Sequence, residues 1–283
     1  MGHEKDIVIR YFDGKLPDQL SAETVEDSAK AKVAVVACET KGTHPRYGKL
    51  VELSIKLLEI RRDPALALKV LDSYDGFEDP EEEFSDAYVR KTGITEEMLH
   101  DQKIDREKAT ALFEQAEVIL CYNAGNIRPF LDREFPCVKD KVFACCRNQI
   151  DWPAKDFECR VLGHLTMEHG WWYDSLRANV ESSVVTQLLN EVDEDSGNTY
   201  MDELIKRAEE PLIVVQADVA PRDRRLLKKE RFFWDRDKGV WQRCMGTSTL
   251  ARVKSSLAAK GFEGELEEVE TLPASDRFKL GGF

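Results

Sequence analysis

The clearest hydrophobic pattern in the chain is a short, uninterrupted apolar run from Val33 to Ala37, which leads directly into Cys38, Glu39 and Thr40. A continuous apolar run of this length that ends in polar residues is typical of a strand buried on both faces. A carboxylate at the end of such a strand needs water, a cation or a metal ion, because isolated burial of a charge is costly. Glu39 is therefore the first candidate functional residue.

The pattern after this strand predicts a mixed sheet with helices packed on it. Polar and apolar positions alternate over residues 50–60 and 65–74, which predicts two strands that pair as a hairpin. Further strands are predicted over 117–122 and 141–146. One predicted helix of this region starts near residue 95. Four others are predicted over residues 108–115, 127–135, 161–169 and 177–190. Hairpin strands followed by alternating helices and strands indicate an α/β fold.

An acidic, turn-rich segment, residues 191–198, is the clearest linker in the sequence. It separates a predicted domain at 32–190 from a smaller α/β domain at 199–283, and residues 1–31 form a polar lead-in. The smaller domain is predicted to contain a strand at 212–217, a basic helix at 222–231, a hairpin at 232–242 and a helix at 248–260.

Composition and charge narrow the classes of function. The chain has 283 residues and a net charge of −13, so its field as a whole repels polyanions while still allowing a local basic groove. No apolar run approaches the roughly 18 residues that span a bilayer, so we expect no membrane insertion and a cytoplasmic protein. The seven cysteines include no CxxC pair, which predicts free thiols rather than disulfides or a thiolate zinc site.

Several segments in a fixed order resemble the DnaQ-like (DEDD-type) 3′–5′ exonuclease superfamily, and in particular bacterial DNA polymerase III epsilon-like exonucleases with a small C-terminal domain. The matching segments are 33–42, 93–98, 123–131, 144–146, 150–152 and 169–173, together with 227–234 and Trp241 in the small domain. The resemblance implies an RNase H-like (DnaQ-like) mixed sheet flanked by helices, plus a small C-terminal α/β module.

In that family, two divalent metal ions hydrolyse the phosphodiester bond, and a histidine or tyrosine beside them takes the proton from water. The sequence departs from the family pattern at the catalytic positions. The first-strand Asp of the family falls on Ala37, the second-motif Asp on Ile127, and the His of the third motif on Leu176. Glu39 is retained, and the last Asp falls on Glu181, whose side chain is one methylene longer.

These losses predict that Glu39 and Glu181 are remnants that bind one metal ion weakly if at all. The first hypothesis is a pseudo-exonuclease retained for binding nucleic acid or protein, with no cofactor expected. One alternative is an active 3′–5′ exonuclease that acts on DNA ends with Mg²⁺ or Mn²⁺ and a rebuilt carboxylate site, using recruited acids such as Asp174. Another is a purely protein-binding adaptor.

The expected partners are single-stranded DNA, nucleic-acid ends or a protein. The candidate nucleic-acid contacts are Thr40, Asn123, Arg177, Arg224, Arg225, Lys228 and Lys229. Asn123 either binds a nucleotide or caps the helix that follows it. The basic helix lies beside Phe232, Phe233, Trp234 and Trp241 in the sequence, and single-strand binders combine such charge with such stacking surfaces. The alternative is that these aromatic rings form the core of the small domain and the charges are a solvated face.

Overall fold

The computed structural model describes residues 9–174, 177–220 and 222–279. The strands are β1 (Arg10–Tyr11), β2 (Lys30–Lys41), β3 (Lys49–Arg62), β4 (Ala65–Phe77), β5 (Val118–Cys121), β6 (Val142–Cys145), β7 (Trp171–Trp172), β8 (Leu212–Ala217), β9 (Phe233–Asp235), β10 (Val240–Gly246) and β11 (Glu267–Leu272). The helices are α1 (Asp86–Thr92), α2 (Glu96–Leu99), α3 (Arg106–Gln115), α4 (Ala124–Glu134), α5 (Cys146–Gln149), α6 (Leu162–Glu168), α7 (Ala178–Asn190), α8 (Tyr200–Glu209), α9 (Arg224–Lys229) and α10 (Thr247–Ala259). The chain divides into two compact units, Met1–Ile205 and Lys206–Phe283.

The first unit is built on a five-stranded mixed sheet with the strand order β4-β3-β2-β5-β6. The strands β2, β3 and β4 pair antiparallel as consecutive hairpins, whereas β5 and β6 join the other edge of β2 in parallel. The side chains from Val33 to Ala37 in the central strand β2 are at most 1% exposed. The predicted α/β fold with a mixed sheet flanked by helices is confirmed.

Helix α7 packs across β2 and β3, and this packing holds its N-terminal turn against the sheet. Its residues Ala178, Ser182, Val185 and Leu189 are buried at the spacing expected for one face of a helix. The Ser182 hydroxyl lies 2.7 Å from the hydroxyl of Ser54 on β3. This contact ties α7 to β3 one residue after Glu181.

The segment before the sheet and the acidic segment after α7 both have defined places in the first unit. Strand β1 pairs in parallel with β7. The Asp193 carboxylate, in the segment predicted as a linker, is buried and accepts a hydrogen bond of 2.7 Å from Lys155. The division between the two units falls between Ile205 and Lys206, within α8.

The second unit has a four-stranded antiparallel sheet with the strand order β11-β8-β10-β9. Helix α10 packs on β8 and β10. The core of the unit includes Leu227 from α9, Trp241 from β10 and Val253 from α10. The predicted small C-terminal α/β module is therefore present.

The structure bears on the predicted state of the cysteines and on the expectation of no membrane-spanning helix. The seven cysteines are free thiols, as expected, and three of them are fully buried: Cys121, Cys145 and Cys146. Within residues 9–174, 177–220 and 222–279, no helix combines the length and the apolar character needed to cross a bilayer.

Candidate functional site

The retained carboxylates meet where β2 ends. Glu39 lies near the carboxyl end of β2, and Glu181 lies in the first turn of α7, which packs on β2 and β3. Burial raises the pKa of Glu39 to about 7, and the charges of Glu181 and Glu52 add to the shift. Burial and the charge of Glu52 likewise raise the pKa of Glu181 to about 7. The two candidate residues thus share one electrostatic site, and near neutral pH each is only partly ionised.

A third carboxylate in this corner, Glu52, was missed by the sequence analysis. It lies directly opposite Glu39 in the β2–β3 ladder and is only 3% exposed. A signal was available, because an acid within the apolar pattern of a predicted hairpin strand needs a buried partner. The predicted hairpin did not supply the register that places Glu52 beside Glu39.

Arg177 compensates the buried charge of Glu52. The Arg177 Nε atom lies 3.1 Å from Oε1 of Glu52, and Nη2 of the same guanidinium is also 3.1 Å from that oxygen. The backbone N–H of Ala178 donates to Oε2 of Glu52 at 3.0 Å. The guanidinium also lies over the ring of Phe77, 4.9 Å from its centroid. Arg177, a candidate nucleic-acid contact, is therefore held by a carboxylate that the sequence analysis did not consider.

The positions where the family has acids on the first strand and in the second motif are apolar and packed. Ala37 is 1% exposed on β2, opposite Ser54 of β3. Ile127 is 7% exposed on α4. Leu176, the position matched to the family's histidine, lies outside the described residues.

Two tyrosines border the carboxylates but are poor candidates for the missing base. Burial raises the pKa of Tyr173 well above its usual range, and Glu181 adds to the shift. Burial and the nearby charge of Glu39 raise the pKa of Tyr88 to about 12. Both hydroxyls therefore stay protonated at neutral pH and do not serve as bases.

The remaining predicted residues of the first unit are in local contacts. Thr40 follows Glu39 at a β-bulge, and its hydroxyl donates to the carbonyl of Gly42 at 3.0 Å. Asn123 precedes α4, but its side chain makes no capping hydrogen bond, so the capping role expected for it is wrong. Its half-buried side chain is not committed to the helix end. Asp174, named as a recruited acid, is exposed and accepts a hydrogen bond of 3.0 Å from the Tyr11 hydroxyl.

The donor set does not fit a two-metal site. Mg²⁺ and Mn²⁺ require several hard oxygen ligands, and Ala37 and Ile127 supply none. The oxygens of Glu52 already accept hydrogen bonds from Arg177 and Ala178. Across the part of the chain that the structure describes, no three His, Cys, Asp or Glu side chains are arranged to hold a metal ion.

The four predicted cations of the second unit lie on α9, where Arg224, Arg225, Lys228 and Lys229 are all exposed. The aromatic residues that follow divide into two groups. Phe232 and Trp241 belong to the core of the unit, as the packing alternative predicted, whereas Phe233 and Trp234 are 47% and 45% exposed. Core packing therefore accounts for Phe232 and Trp241.

Comparison with known proteins identifies the fold. No protein-family model matches the sequence, and no curated protein has significant similarity to it. A structure of exonuclease I matches with a TM-score of 0.53 and 13% identity, covering 82% of this chain and 68% of that chain. E. coli exonuclease I in complex with a dA16 oligonucleotide matches with a TM-score of 0.53 and 14% identity, covering 81% of this chain and 70% of that chain.

A full-length 3′-exonuclease matches with a TM-score of 0.46 and 15% identity, covering 62% of this chain and 65% of that chain. The chain thus spans about two thirds of the length of these three structures. At such identities the likeness to exonuclease I is one of fold. The chain therefore has the RNase H-like fold of the DnaQ-like exonucleases, as its motifs predicted.

Proposed function

We propose that this protein is a catalytically degenerate 3′–5′ exonuclease homologue that binds single-stranded nucleic-acid ends without hydrolysing them. The observation that carries the proposal is the packing of Ala37 and Ile127, at 1% and 7% exposure, where the family resemblance places two metal-binding acids. Methyl groups in these positions stabilise the core, but they offer no oxygen to a cation.

The remaining acids are too few for the chemistry of the family. Two-metal hydrolysis needs ligands that clamp both the attacking and the leaving oxygen. Glu39 and Glu181 are left for this role, because Glu52 holds Arg177 through hydrogen bonds of 3.1 and 3.3 Å. A missing general base alone costs roughly 10²–10⁴ in rate, and the loss of metal ligands adds to this.

Binding is supported by the second unit as well as by the fold. The cations of α9 are exposed, and none forms an ion pair with another described residue, although the chain as a whole carries a charge of −13. Exposed cations without carboxylate partners are available to phosphate groups. The exonuclease I structure with a dA16 oligonucleotide is an example of this fold with a bound single strand.

The alternative of an active exonuclease is favoured by one observation. Glu39 and Glu181 lie close enough for the charge of one to raise the pKa of the other, so a cation that enters the corner would meet two carboxylates. In that case Glu39 and Glu181 are the ligands whose removal abolishes hydrolysis.

A degradation assay separates the two functions. The purified chain is incubated with a 5′-labelled single-stranded DNA in Mg²⁺ and then in Mn²⁺, beside the Glu39→Ala, Glu181→Ala double variant. We expect an intact strand with both proteins. The double variant identifies a contaminating nuclease, because contamination shortens the strand equally in both samples.

Shortening by the natural chain that disappears in the double variant would overturn the proposal and establish a rebuilt metal site. A strand that stays intact but is not bound in a parallel affinity measurement would also contradict it, and would favour the protein-binding adaptor. Only an intact and bound strand agrees with the proposed function.

A further inference from the structure

The second unit contains a cavity of about 480 Å³ whose lining combines cations with aromatic rings. Its lining residues are Arg224, Lys228, Phe232, Phe233, Trp234 and Trp241. Arg224 and Lys228 come from α9, and the rings come from β9, from β10 and from the residue before β9. Small-molecule and nucleotide sites commonly have volumes of roughly 300–1,000 Å³ and a few placed polar groups.

Part of the aromatic lining is exposed rather than buried in the core. Phe233 and Trp234 are 47% and 45% exposed, although the core beneath them already contains Phe232 and Trp241. The Trp234 ring stands at 62° to the ring of Trp241, with the centroids 5.8 Å apart. The exposed indole is thus held against the core by an edge-to-face contact.

Trp241 contributes an unused hydrogen-bond donor. The residue is 7% exposed and lines the cavity, and its indole N–H is buried without a hydrogen-bond partner among the described residues. A buried donor left unsatisfied is costly, and buried Trp N–H groups usually have a partner. An acceptor oxygen of a bound molecule would supply one.

The two lining cations are available to an anion. Arg224 and Lys228 are one helical turn apart and exposed, and within the described part of the chain neither is paired with a carboxylate. The Lys228 ammonium lies 5.7 Å from the centroid of the Trp241 ring. The nearest acid after them in sequence, Glu230, is already held by Lys260 at 2.8 Å.

We propose that this cavity binds one or two nucleotides of a single strand. A base stacks on Trp234, the phosphates contact Arg224 and Lys228, and the N–H of Trp241 donates to a nucleotide oxygen. This combination of rings and cations is the means by which single strands are bound without sequence preference. The inference rests on the proposed function, since it assigns part of the strand binding to the second unit.

The first test is a fluorescence and affinity titration of the full chain with a ten-nucleotide oligothymidylate in EDTA. The same titration uses an abasic strand of equal length, which has the phosphates but no bases to stack. We expect the oligothymidylate to bind more tightly and to quench tryptophan fluorescence. Trp234→Ala should weaken its binding by roughly 5- to 100-fold and remove most of the quenching, because base stacking on one ring contributes that much. Trp234→Phe, which keeps a ring, should retain most of the affinity.

The basic helix supplies a matched control. The Arg224→Gln, Lys228→Gln double variant removes two cations that line the cavity, and the Arg225→Gln, Lys229→Gln variant removes two that do not. The two variants lose the same charge, at the same spacing, on the same helix. The cavity predicts that only the first variant loses the fluorescence quenching, while general electrostatic attraction predicts equal losses. Thermal unfolding of each variant checks that the unit remains folded.

The outcomes distinguish this inference from the proposed function. Tight binding that is unchanged in Trp234→Ala, with equal effects of the two helix variants, would overturn the cavity site and leave strand binding in place. Absence of any oligothymidylate binding by the natural chain would overturn both. Equal affinity for the abasic strand would reject stacking and therefore the site.

Discussion

The two candidate sites use charge in opposite ways. At the carboxylate corner of the first unit, the buried Glu52 holds Arg177 at 3.1 Å, so both charges serve the folded structure. On α9 of the second unit, Arg224 and Lys228 are exposed and, among the described residues, have no carboxylate partner. The comparison teaches that a charged residue near a family's active site is not thereby available to a ligand. A charged side chain is available to a ligand only if the folded chain has not already paired it with an opposite charge.

The same difference distinguishes the site where catalysis would occur from the surface suited to binding. In the corner, the buried apolar residues Ala37 and Ile127 stand where the family resemblance places oxygen ligands, so fewer like charges have to be held together. In and around α9, residues 222–231 contain six cations and two acids, in a chain whose net charge is −13. A positive surface maintained on an acidic protein is suited to phosphate contact. The proposed absence of hydrolysis and the proposed strand binding are therefore compatible in one molecule.

The largest expected effect comes from breaking the ion pair in the corner. Arg177→Ala should lower the free energy of unfolding by about 3 kcal/mol, because it leaves the Glu52 carboxylate buried without its cation. Urea unfolding at pH 7 measures the change. Lys254→Ala is the matched control, since Lys254 pairs with Glu268 at 2.6 Å on an exposed surface and should lose about 0.5 kcal/mol or less. Equal losses in the two variants would contradict the distinction between the sites.

The second effect concerns the salt dependence of strand binding. The Arg224→Gln, Lys228→Gln variant should reduce the slope of log affinity against log salt by about 1.4, because each phosphate contact to a single strand contributes about 0.7. Titration of a labelled oligonucleotide at several NaCl concentrations gives the slope. An unchanged slope would show that these cations do not contact phosphate. It would contradict the claim that the cations of α9 are available to a ligand.

The third effect tests whether the ionised carboxylate of Glu181 destabilises the folded chain. The pKa of Glu181 is raised to about 7 in the folded chain, above its ordinary value of 4.5, so stability falls as pH rises from about 4.5 to 7 and stays lower above that. Glu181→Gln should therefore raise the free energy of unfolding by about 1–2 kcal/mol at pH 8, and change it little at pH 4.5. Urea unfolding at the two pH values measures both numbers. A loss of stability at pH 8 would mean that the ionised carboxylate has a stabilising partner.

The smallest effect concerns Asp174, the acid considered as a substitute ligand. Tyr11→Phe removes the hydroxyl that donates to Asp174 at 3.0 Å, and because the contact is exposed we expect a loss of about 0.5 kcal/mol. The variant should also remain inactive on a labelled strand in Mn²⁺. The appearance of metal-dependent cleavage would show that Asp174 can complete a site once its partner is removed.

The sequence predicted the parts of the fold that depend on local pattern. The run from Val33 to Ala37 lies within β2, the alternating segments became β3 and β4, and the basic segment contains α9. Short elements such as α1 and β11 were missed, because their few apolar positions do not establish a period. The pairing of β1 with β7 depends on a contact between residues far apart in the sequence.

The candidate site was less accessible from sequence than the fold. The motif positions pointed to Glu39 and Glu181, and the structure places both in one electrostatic site. The third acid, Glu52, required the strand register, and its pairing with Arg177 required the packing of α7 on the sheet. Likewise, the division of the aromatic cluster into buried Phe232 and exposed Trp234 depends on tertiary packing that spacing does not specify.

The most direct test of the central claim measures binding and integrity of the same strand in one sample. A single-stranded DNA labelled at its 5′ end is titrated with the full chain in Mn²⁺, its fluorescence anisotropy is recorded, and its length is then read on a denaturing gel. The account predicts saturable binding and an undegraded strand. A strand that is shortened by the natural chain and left intact by the Glu39→Ala, Glu181→Ala variant would contradict it.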